Sequence, residues 1–297
     1  MRQAVGLKRY EIRTAYTFIL PALIILVGLM VYPILNVFRL SVVNDSFINN
    51  QISFVGLENY VELFSSPAFW QVMRNSVVWT VGVVSLQFVF GLGFALFLNN
   101  FGRGQGVVRS LVLIPWVVPG VVAGIIWRLM YHPQIGSLNA ILVDIGLLAQ
   151  PVAFLGRGDT AMAAVIVAAV WKGFPYNTVT LLAGLQSVRQ DLLDAAEIDG
   201  AGPVRKLTNV ILPQLAGIIR INLMLTTIWT FNYFDITYSM TNGGPNEATQ
   251  IFPLEIYQQA FTELRYSYSA ALAVVSLIVI FLATMAYVRN LVRKGEI

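Results

Sequence analysis

Residues 194–203 read DAAEIDGAGP, a short acidic segment that ends in two glycines and a proline. Gly200 follows the acidic residues, and a glycine here ends a helix readily because it adopts the left-handed conformation that closes a C-terminus. Gly202 and Pro203 then allow a new helix to begin, since a proline in the first helical turn lacks only an N–H that has no partner there. The segment therefore predicts two short helices joined by a glycine turn.

The first of these short helices has one apolar face. Its apolar residues recur at intervals of three and four, and they are Leu185, Val188, Leu192, Ala195 and Ala196. Carboxylates and small side chains surround that face and suit a partner with basic groups; they are Asp191, Asp194, Glu197, Asp199 and Ala201. A helix that lies on lipid headgroups is the alternative that periodicity leaves open. Such helices are rich in Lys and Arg, so the acidic character of this one favours a protein partner.

Long apolar segments flank this loop on both sides. The chain has 297 residues, of which 57% are hydrophobic and 11% charged, and its mean hydropathy is +0.71. A membrane-spanning helix needs roughly 20 apolar residues. Six segments meet that requirement, at residues 15–38, 76–98, 110–130, 161–182, 218–238 and 270–288. The fold class predicted is an all-α polytopic membrane protein, with one six-helix domain over residues 15–290.

The basic residues indicate how these helices are oriented. Most of the nineteen Lys and Arg lie in residues 1–14, in the loops after the second and fourth helices, and near the C-terminus. Basic residues are enriched on the cytoplasmic side of membrane proteins. We therefore expect the N-terminal segment 1–14, the loop 183–217 and the tail 291–297 to be cytoplasmic. Residues 41–75, 131–160 and 239–269 are expected on the outer side.

Several classes of function are excluded by the composition. The chain has no cysteine and a single histidine, His132, so thiolate metal sites, disulfides and Cys/His catalysis are not expected. The P-loop pattern GxxxxGK[ST] is absent, so nucleotide hydrolysis would belong to another chain. The basic residues are spread between apolar runs and do not form a patch for nucleic acid. We expect no enzyme activity, no metal and no cofactor bound by this chain.

The fifth predicted helix carries a polar stripe. Its members are spaced at three and four residues, and they are Asn222, Thr226, Trp229, Thr230, Tyr233 and Thr237. Polar groups are costly against lipid, so the stripe faces either a neighbouring helix or a water-filled path. Trp and Tyr beside hydroxyl and amide groups suit a sugar ring, because the rings stack and the polar groups bind its hydroxyls.

A lysine lies well inside the fourth predicted helix. A charged group at the position of Lys172 is costly unless it is paired or hydrated. Asp235 is the only acidic candidate in a neighbouring helix core, and the estimated depths leave direct pairing open. Lys172 and Gly173 are the candidates for a solute path on this helix.

Residues 194–203, followed by VILP at 210–213, resemble the EAA loop of bacterial ATP-binding-cassette (ABC) importer permeases. WKGFP at 171–175, TNGGP at 241–245 and FVGLENY at 54–60 are similar to sugar-importer permeases of the maltose and glycerol-phosphate type. Asp194 stands where the family has Glu, and Gly217 stands where many members have a second proline. The resemblance extends over nearly the whole chain.

This resemblance implies the type I ABC importer permease fold and a coupling role for the loop. In the family the loop lies in a cleft of the cytoplasmic ATPase and transmits its closure to the membrane helices. The residues implied are Asp194, Ala195, Ala196, Glu197, Asp199, Gly200, Ala201 and the closing Pro213. The family also lines its solute path with the helices on either side of the loop. The path residues expected are Lys172, Gly173, Thr226, Trp229, Thr230 and Tyr233.

The partners implied are an ATPase dimer that holds ATP and Mg, a second homologous permease and an extracytoplasmic solute-binding protein. The location implied is the bacterial cytoplasmic membrane, with both termini inside. The solute stays open among disaccharides, trehalose, other oligosaccharides and glycerophosphodiesters. An ion-coupled secondary transporter is the alternative, although that class shows inverted halves with broken helices and intramembrane acids.

Overall fold

The structure is a computed structural model that describes residues 2–46 and 51–293. The expected tail 291–297 lies outside the described residues from position 294 onward. The chain forms two compact units, one with the residues up to Ser65 together with Ile256–Ser276, and one with Ser66–Glu255 and the residues from Leu277.

The elements up to Ser65 are three helices and a hairpin. They are α1 (Arg2–Leu26), a π-helical turn (Val27–Val31), α2 (Tyr32–Leu40), β1 (Val43–Ser46), β2 (Gln51–Phe54) and α3 (Glu58–Ser65). The next elements are α4 (Pro67–Asn99), α5 (Gln105–Val117), α6 (Gly120–Met130), α7 (Ser137–Asp144), α8 (Gly158–Leu185) and α9 (Gln190–Ile198). They are followed by α10 (Pro203–Lys206), a second π-helical turn (Leu207–Ile211), α11 (Leu212–Phe231), α12 (Asp235–Thr241), α13 (Phe252–Phe261) and α14 (Tyr266–Arg293).

The described residues contain five helices that are long and apolar enough to cross a membrane. They are Thr14–Leu40, Pro67–Asn99, Gly158–Leu185, Pro203–Phe231 and Tyr266–Leu291. The pair α5 and α6 makes a sixth span if it is counted as one. Five of the six predicted spans therefore correspond to these helices, with different ends, and the sixth corresponds to the bent pair.

The third span is not the continuous helix predicted over residues 110–130. It is broken between α5 and α6, which are bent by 93°. Val118 at the break is extended, with φ −63° and ψ 128°, and Pro119 follows it. A proline has no N–H for the helix ladder and disfavours the helical conformation of the residue before it, which explains the break.

The fifth span is also displaced from the predicted residues 218–238. It begins at Pro203, passes through the second π-helical turn and ends at Phe231, and α12 is a separate helix. Asn232 ends it because its side-chain Nδ2 donates to the carbonyl of Ile228 at 2.8 Å. That carbonyl would accept the backbone N–H of Asn232 in a continuing helix.

The loop between α8 and α11 differs from its prediction at its first helix. Leu185 is the last residue of α8, and Val188 lies in the turn before α9. The predicted apolar face therefore does not run along one short helix. Pro203 occupies the first turn of the second helix, as predicted, and that helix is continuous with the fifth span.

The segment after α2, whose fold the sequence left open, contains two paired strands and a helix. The strands β1 and β2 are antiparallel, with Val43 opposite Phe54. Asn59 Nδ2 donates to the carbonyls of Ser41 and Val43 at 3.0 Å each, and Tyr60 Oη lies 2.7 Å from Ser41 Oγ. These bonds give the FVGLENY motif a structural role.

The main core of the second unit is buried between α4, α6, α8 and α12, and its most extensive contact is between α4 and α8. Gly91 allows their close approach, because a Cβ there would overlap Asn177. Towards α9, the two helices and α11 share what we call the inner apolar cluster. Its buried members are Ala95, Leu98, Leu181, Leu182, Leu185 and Leu215.

Candidate functional site

A cleft in the second unit is bounded by α4, α5, α8, α11 and the turn after α11. Its volume is about 110 Å³. The lining residues are Val83, Gln87, Trp116, Ala169, Lys172, Gly173, Tyr176, Thr226, Trp229, Thr230 and Tyr233. All of the expected path residues line this cleft, so the structure brings together positions as far apart in the chain as Lys172 and Tyr233.

The polar stripe is divided by the end of α11. Thr226 and Thr230 line the cleft with exposed fractions of 4% and 6%, while Trp229 is 52% exposed. Tyr233 reaches the cleft from the turn after the helix. Thr237 lies on α12, fully buried, and donates to the carbonyl of Phe234 at 2.8 Å. The prediction of one continuous face is therefore wrong beyond Phe231.

Three aromatic rings form one wall of the cleft. The rings of Tyr176 and Trp229 meet edge to face with centroids 4.9 Å apart, and Trp116 stacks on Tyr176 at 6.3 Å. Tyr176 and Trp116 are not among the path residues predicted from the sequence. Tyr176 lies four residues after Lys172 on the same helix, so helical spacing was a signal for it. Trp116 had no such signal, because it depends on the break between α5 and α6.

The opposite wall is set by a close contact between α4 and α8. Gln87 Nε2 donates to the carbonyl of Ala169 at 3.0 Å, and a Cβ at Gly173 would overlap the Gln87 amide. Lys172 forms no ion pair with Asp235 or with any other carboxylate in the part of the chain that the structure describes.

The turn between α9 and α10 has the geometry expected from its glycine. Gly200 has φ +74°, in the left-handed region. Its N–H donates to the carbonyl of Glu197 at 3.0 Å, and the N–H of Ala201 donates to that of Ala196 at 2.9 Å. These bonds use carbonyls that the end of α9 leaves without a helical partner.

The carboxylates of α9 are bonded within the chain. Glu197 forms an ion pair with Lys206 Nζ at 2.7 Å, and Asp194 accepts a bond from Gln190 at 2.9 Å. The Arg189 guanidinium donates to the Asp191 carboxylate and holds the pKa of that carboxyl below its usual value. The sequence predicted that Asp194 and Glu197 face a partner, and it did not predict these bonds within the chain.

The exposed surface of this loop also carries apolar side chains. Ile198 is 86% exposed and Val204 is 74% exposed, on either side of the glycine turn. Asp199 and Ala195 are exposed as well, and Ala196 and Ala201 are half-buried. Exposed apolar side chains beside small and acidic residues are typical of a surface that another protein covers.

Residues 87–294 match the family described as the binding-protein-dependent transport system inner membrane component. The chain belongs to this family. It is therefore a membrane permease of an ABC importer, and transport by its family depends on a binding protein. The comparisons give no support to the ion-coupled secondary transporter.

Three relatives match the permease over almost its whole length. The trehalose/maltose transport system permease protein MalF of Thermococcus litoralis is 36% identical over 95% of this chain and 95% of its own length. The sulfoquinovosyl glycerol transport system permease protein SmoG of Agrobacterium fabrum is 33% identical, over 93% of this chain and 89% of its own. The sn-glycerol-3-phosphate transport system permease protein UgpA of the same organism is 31% identical, over 94% of each chain.

Solved structures show the same fold. A bacterial ABC transporter involved in the import of the acidic polysaccharide alginate matches with a TM-score of 0.80 and 21% identity, over 97% of the permease and 99% of that chain. The alginate transporter in complex with an alginate pentasaccharide-bound periplasmic protein matches with a TM-score of 0.83 and 20% identity. The match covers 100% of the permease and 99% of that chain. The permease therefore has the type I ABC importer permease fold.

Proposed function

We propose that the permease passes a sugar or sugar-like solute through the cleft between α4, α8 and α11. The observation that carries this proposal is the wall of Tyr176, Trp229 and Trp116 beside hydroxyl and amide groups. Aromatic faces stack on the apolar face of a sugar ring, and the polar groups bond its hydroxyls. The relatives named for trehalose, maltose and sulfoquinovosyl glycerol support the same class of solute.

The size of the cleft supports a second permease subunit. Ligand pockets for small organic molecules enclose about 300–1,000 Å³, whereas this cleft encloses about 110 Å³. Trp229 is half exposed at its edge. We infer that a homologous permease completes the cleft from its open side.

The energy for transport comes, in this proposal, from a separate cytoplasmic ATPase dimer that binds ATP and Mg. The ATPase would cover α9 and the glycine turn, including Asp194, Ala195, Ala196, Asp199, Gly200 and Ala201. Each ATPase has one docking cleft and each permease has one such loop, so two permeases match one ATPase dimer. A solute-binding protein would deliver the solute on the opposite side of a bacterial cytoplasmic membrane. The permease itself would be no enzyme and bind no cofactor.

A transport assay with cleft variants tests this function. The permease is reconstituted with its ATPase, partner permease and binding protein, and uptake of labelled maltose and trehalose is measured. We expect Trp229→Ala and Tyr233→Ala to lower uptake by about tenfold, which corresponds to the loss of about 1.4 kcal/mol of binding. ATPase copurification should not change, because neither residue lies near the coupling loop.

Phe90→Ala is the matched control, since Phe90 is 49% exposed on α4 and does not line the cleft. Its uptake should equal that of the wild type. Normal uptake in both cleft variants would contradict the assignment of the path.

A further inference from the structure

Two asparagines in the second unit are buried without any hydrogen-bond partner among the described residues. Asn177 on α8 is 0% exposed and Asn222 on α11 is 1% exposed. In each, both the amide nitrogen and the amide oxygen lack a partner. Asn139, which is equally buried, bonds through both ends of its amide. Buried amides in native proteins are normally satisfied, so an unsatisfied pair calls for a physical explanation.

Each asparagine lies one helical turn from a residue that lines the cleft. Asn177 lies four residues after Gly173, and Asn222 lies four residues before Thr226; Gly173 and Thr226 both line the cleft. Residues four apart occupy the same helix face. Because α8 runs towards the coupling loop and α11 runs away from it, both steps lead in the same direction. Both asparagines therefore lie on the side of the cleft that faces the coupling loop, each about 6 Å along its helix from that lining residue.

The next level in that direction is apolar. Leu181, four residues after Asn177, belongs to the inner apolar cluster, and Ile218, four residues before Asn222, packs against it. The succession along both helices is thus the cleft, then the two amides, then a closed apolar layer. Gly91 on α4 leaves room for Asn177 at this level, since a Cβ there would overlap its side chain.

We propose that Asn177 and Asn222 form an inner polar subsite for the solute, next to the cleft on the way to the cytoplasm. An amide offers a donor and an acceptor, which is what a hydroxyl group needs from its surroundings. Two such amides match a polyhydroxylated solute that leaves the cleft when the inner apolar cluster opens. This inference rests on the proposed sugar path.

The test compares Asn177→Leu and Asn222→Leu with Thr178→Val, in the reconstituted complex with labelled maltose and trehalose. Thr178 is a matched control because it is fully buried beside Asn177 and its hydroxyl donates to the carbonyl of Phe174 at 3.1 Å. We expect maximal uptake to fall about tenfold in each leucine variant, since each removes hydrogen bonds to the passing solute. The Tm of the complex should stay equal or rise, because an unpaired buried amide is replaced by an apolar group. Thr178→Val should transport normally.

Asn177→Ser and Asn222→Ser keep a hydroxyl at each position and should retain more uptake than the leucine variants. Wild-type uptake with a raised Tm in the leucine variants would overturn the subsite and leave the amides as sites of internal water. Equal losses in Thr178→Val would also overturn it, since packing alone would then explain them. Trp229→Ala in the same assay tests the proposed function separately: if it loses uptake while the leucine variants keep theirs, only the inner subsite fails.

Discussion

At the scale of single residues, Gly200 and Gly202 are close in sequence but differ in what they require. Gly200 has φ +74°, and nothing lies within 4 Å of a Cβ built on it, so a side chain there meets conformational strain and no clash. Gly202 has φ −68° and ψ 170°, which any residue before a proline adopts readily. The turn therefore depends on the first glycine only.

We predict that Gly200→Val leaves the permease inserted in the membrane but loosens the ATPase and abolishes solute-stimulated ATP hydrolysis. A β-branched residue in the left-handed region is strained by roughly 1–2 kcal/mol or more, which favours a different angle between α9 and α10. Copurification of the ATPase from detergent and its hydrolysis rate measure both effects. Gly202→Ala is the control and should behave as the wild type. Full retention and stimulation in Gly200→Val would mean that the loop is not the docking element.

At the scale of elements, α9 is tied to the fifth span at both of its ends. The Glu197–Lys206 ion pair crosses the glycine turn at 2.7 Å, and the N–H of Arg189 donates to Gln214 Oε1 at 3.3 Å. The same span carries Thr226, Trp229 and Thr230 to the cleft. A displacement of α9 would therefore be passed to the cleft through one continuous helix.

A charge exchange tests whether Glu197 acts inside the chain or on a partner. We expect Glu197→Lys and Lys206→Glu each to lower the uptake obtained per ATP hydrolysed, because each variant places two like charges at the Glu197–Lys206 pair. The double variant should recover much of that coupling. Unfolding free energies should change by no more than about 1 kcal/mol, since the carboxylate is 74% exposed and exposed ion pairs contribute little. If the double variant is as impaired as Glu197→Lys, the carboxylate contacts the ATPase instead.

At the scale of the whole molecule, orientation follows from the distribution of basic residues. The absence of cysteine makes every introduced cysteine unique. Gln150→Cys lies between α7 and α8 at the end expected outside, and Gly102→Cys lies between α4 and α5 at the end expected inside; both positions are exposed. An impermeant maleimide should label Gln150→Cys in spheroplasts and Gly102→Cys only after permeabilisation. The reverse labelling pattern would show that the permease has the opposite orientation in the membrane.

Features that depend on a few neighbouring residues were predictable from the sequence. Apolar run length gave the number of spans, because a membrane-crossing helix satisfies all its backbone groups within one segment. The left-handed turn at Gly200 and the helix start at Pro203 follow from backbone sterics that act on single residues. Helical spacing, which is also local, selected Thr226, Trp229 and Thr230, and these residues line the cleft.

Features that depend on packing between distant segments could be identified only from the tertiary structure. The polar stripe has the same helical spacing whether or not the helix continues, so periodicity did not reveal that Asn232 ends it. Trp116 joins the cleft through the bend before Pro119, and Asn177 and Asn222 lie on the same side of the cleft only because α8 and α11 run in opposite directions. Glu197 pairs with Lys206 across a turn whose angle no local preference specifies. Local backbone preferences act over one helical turn, whereas the cleft, the inner subsite and the Glu197–Lys206 ion pair require the relative placement of whole helices.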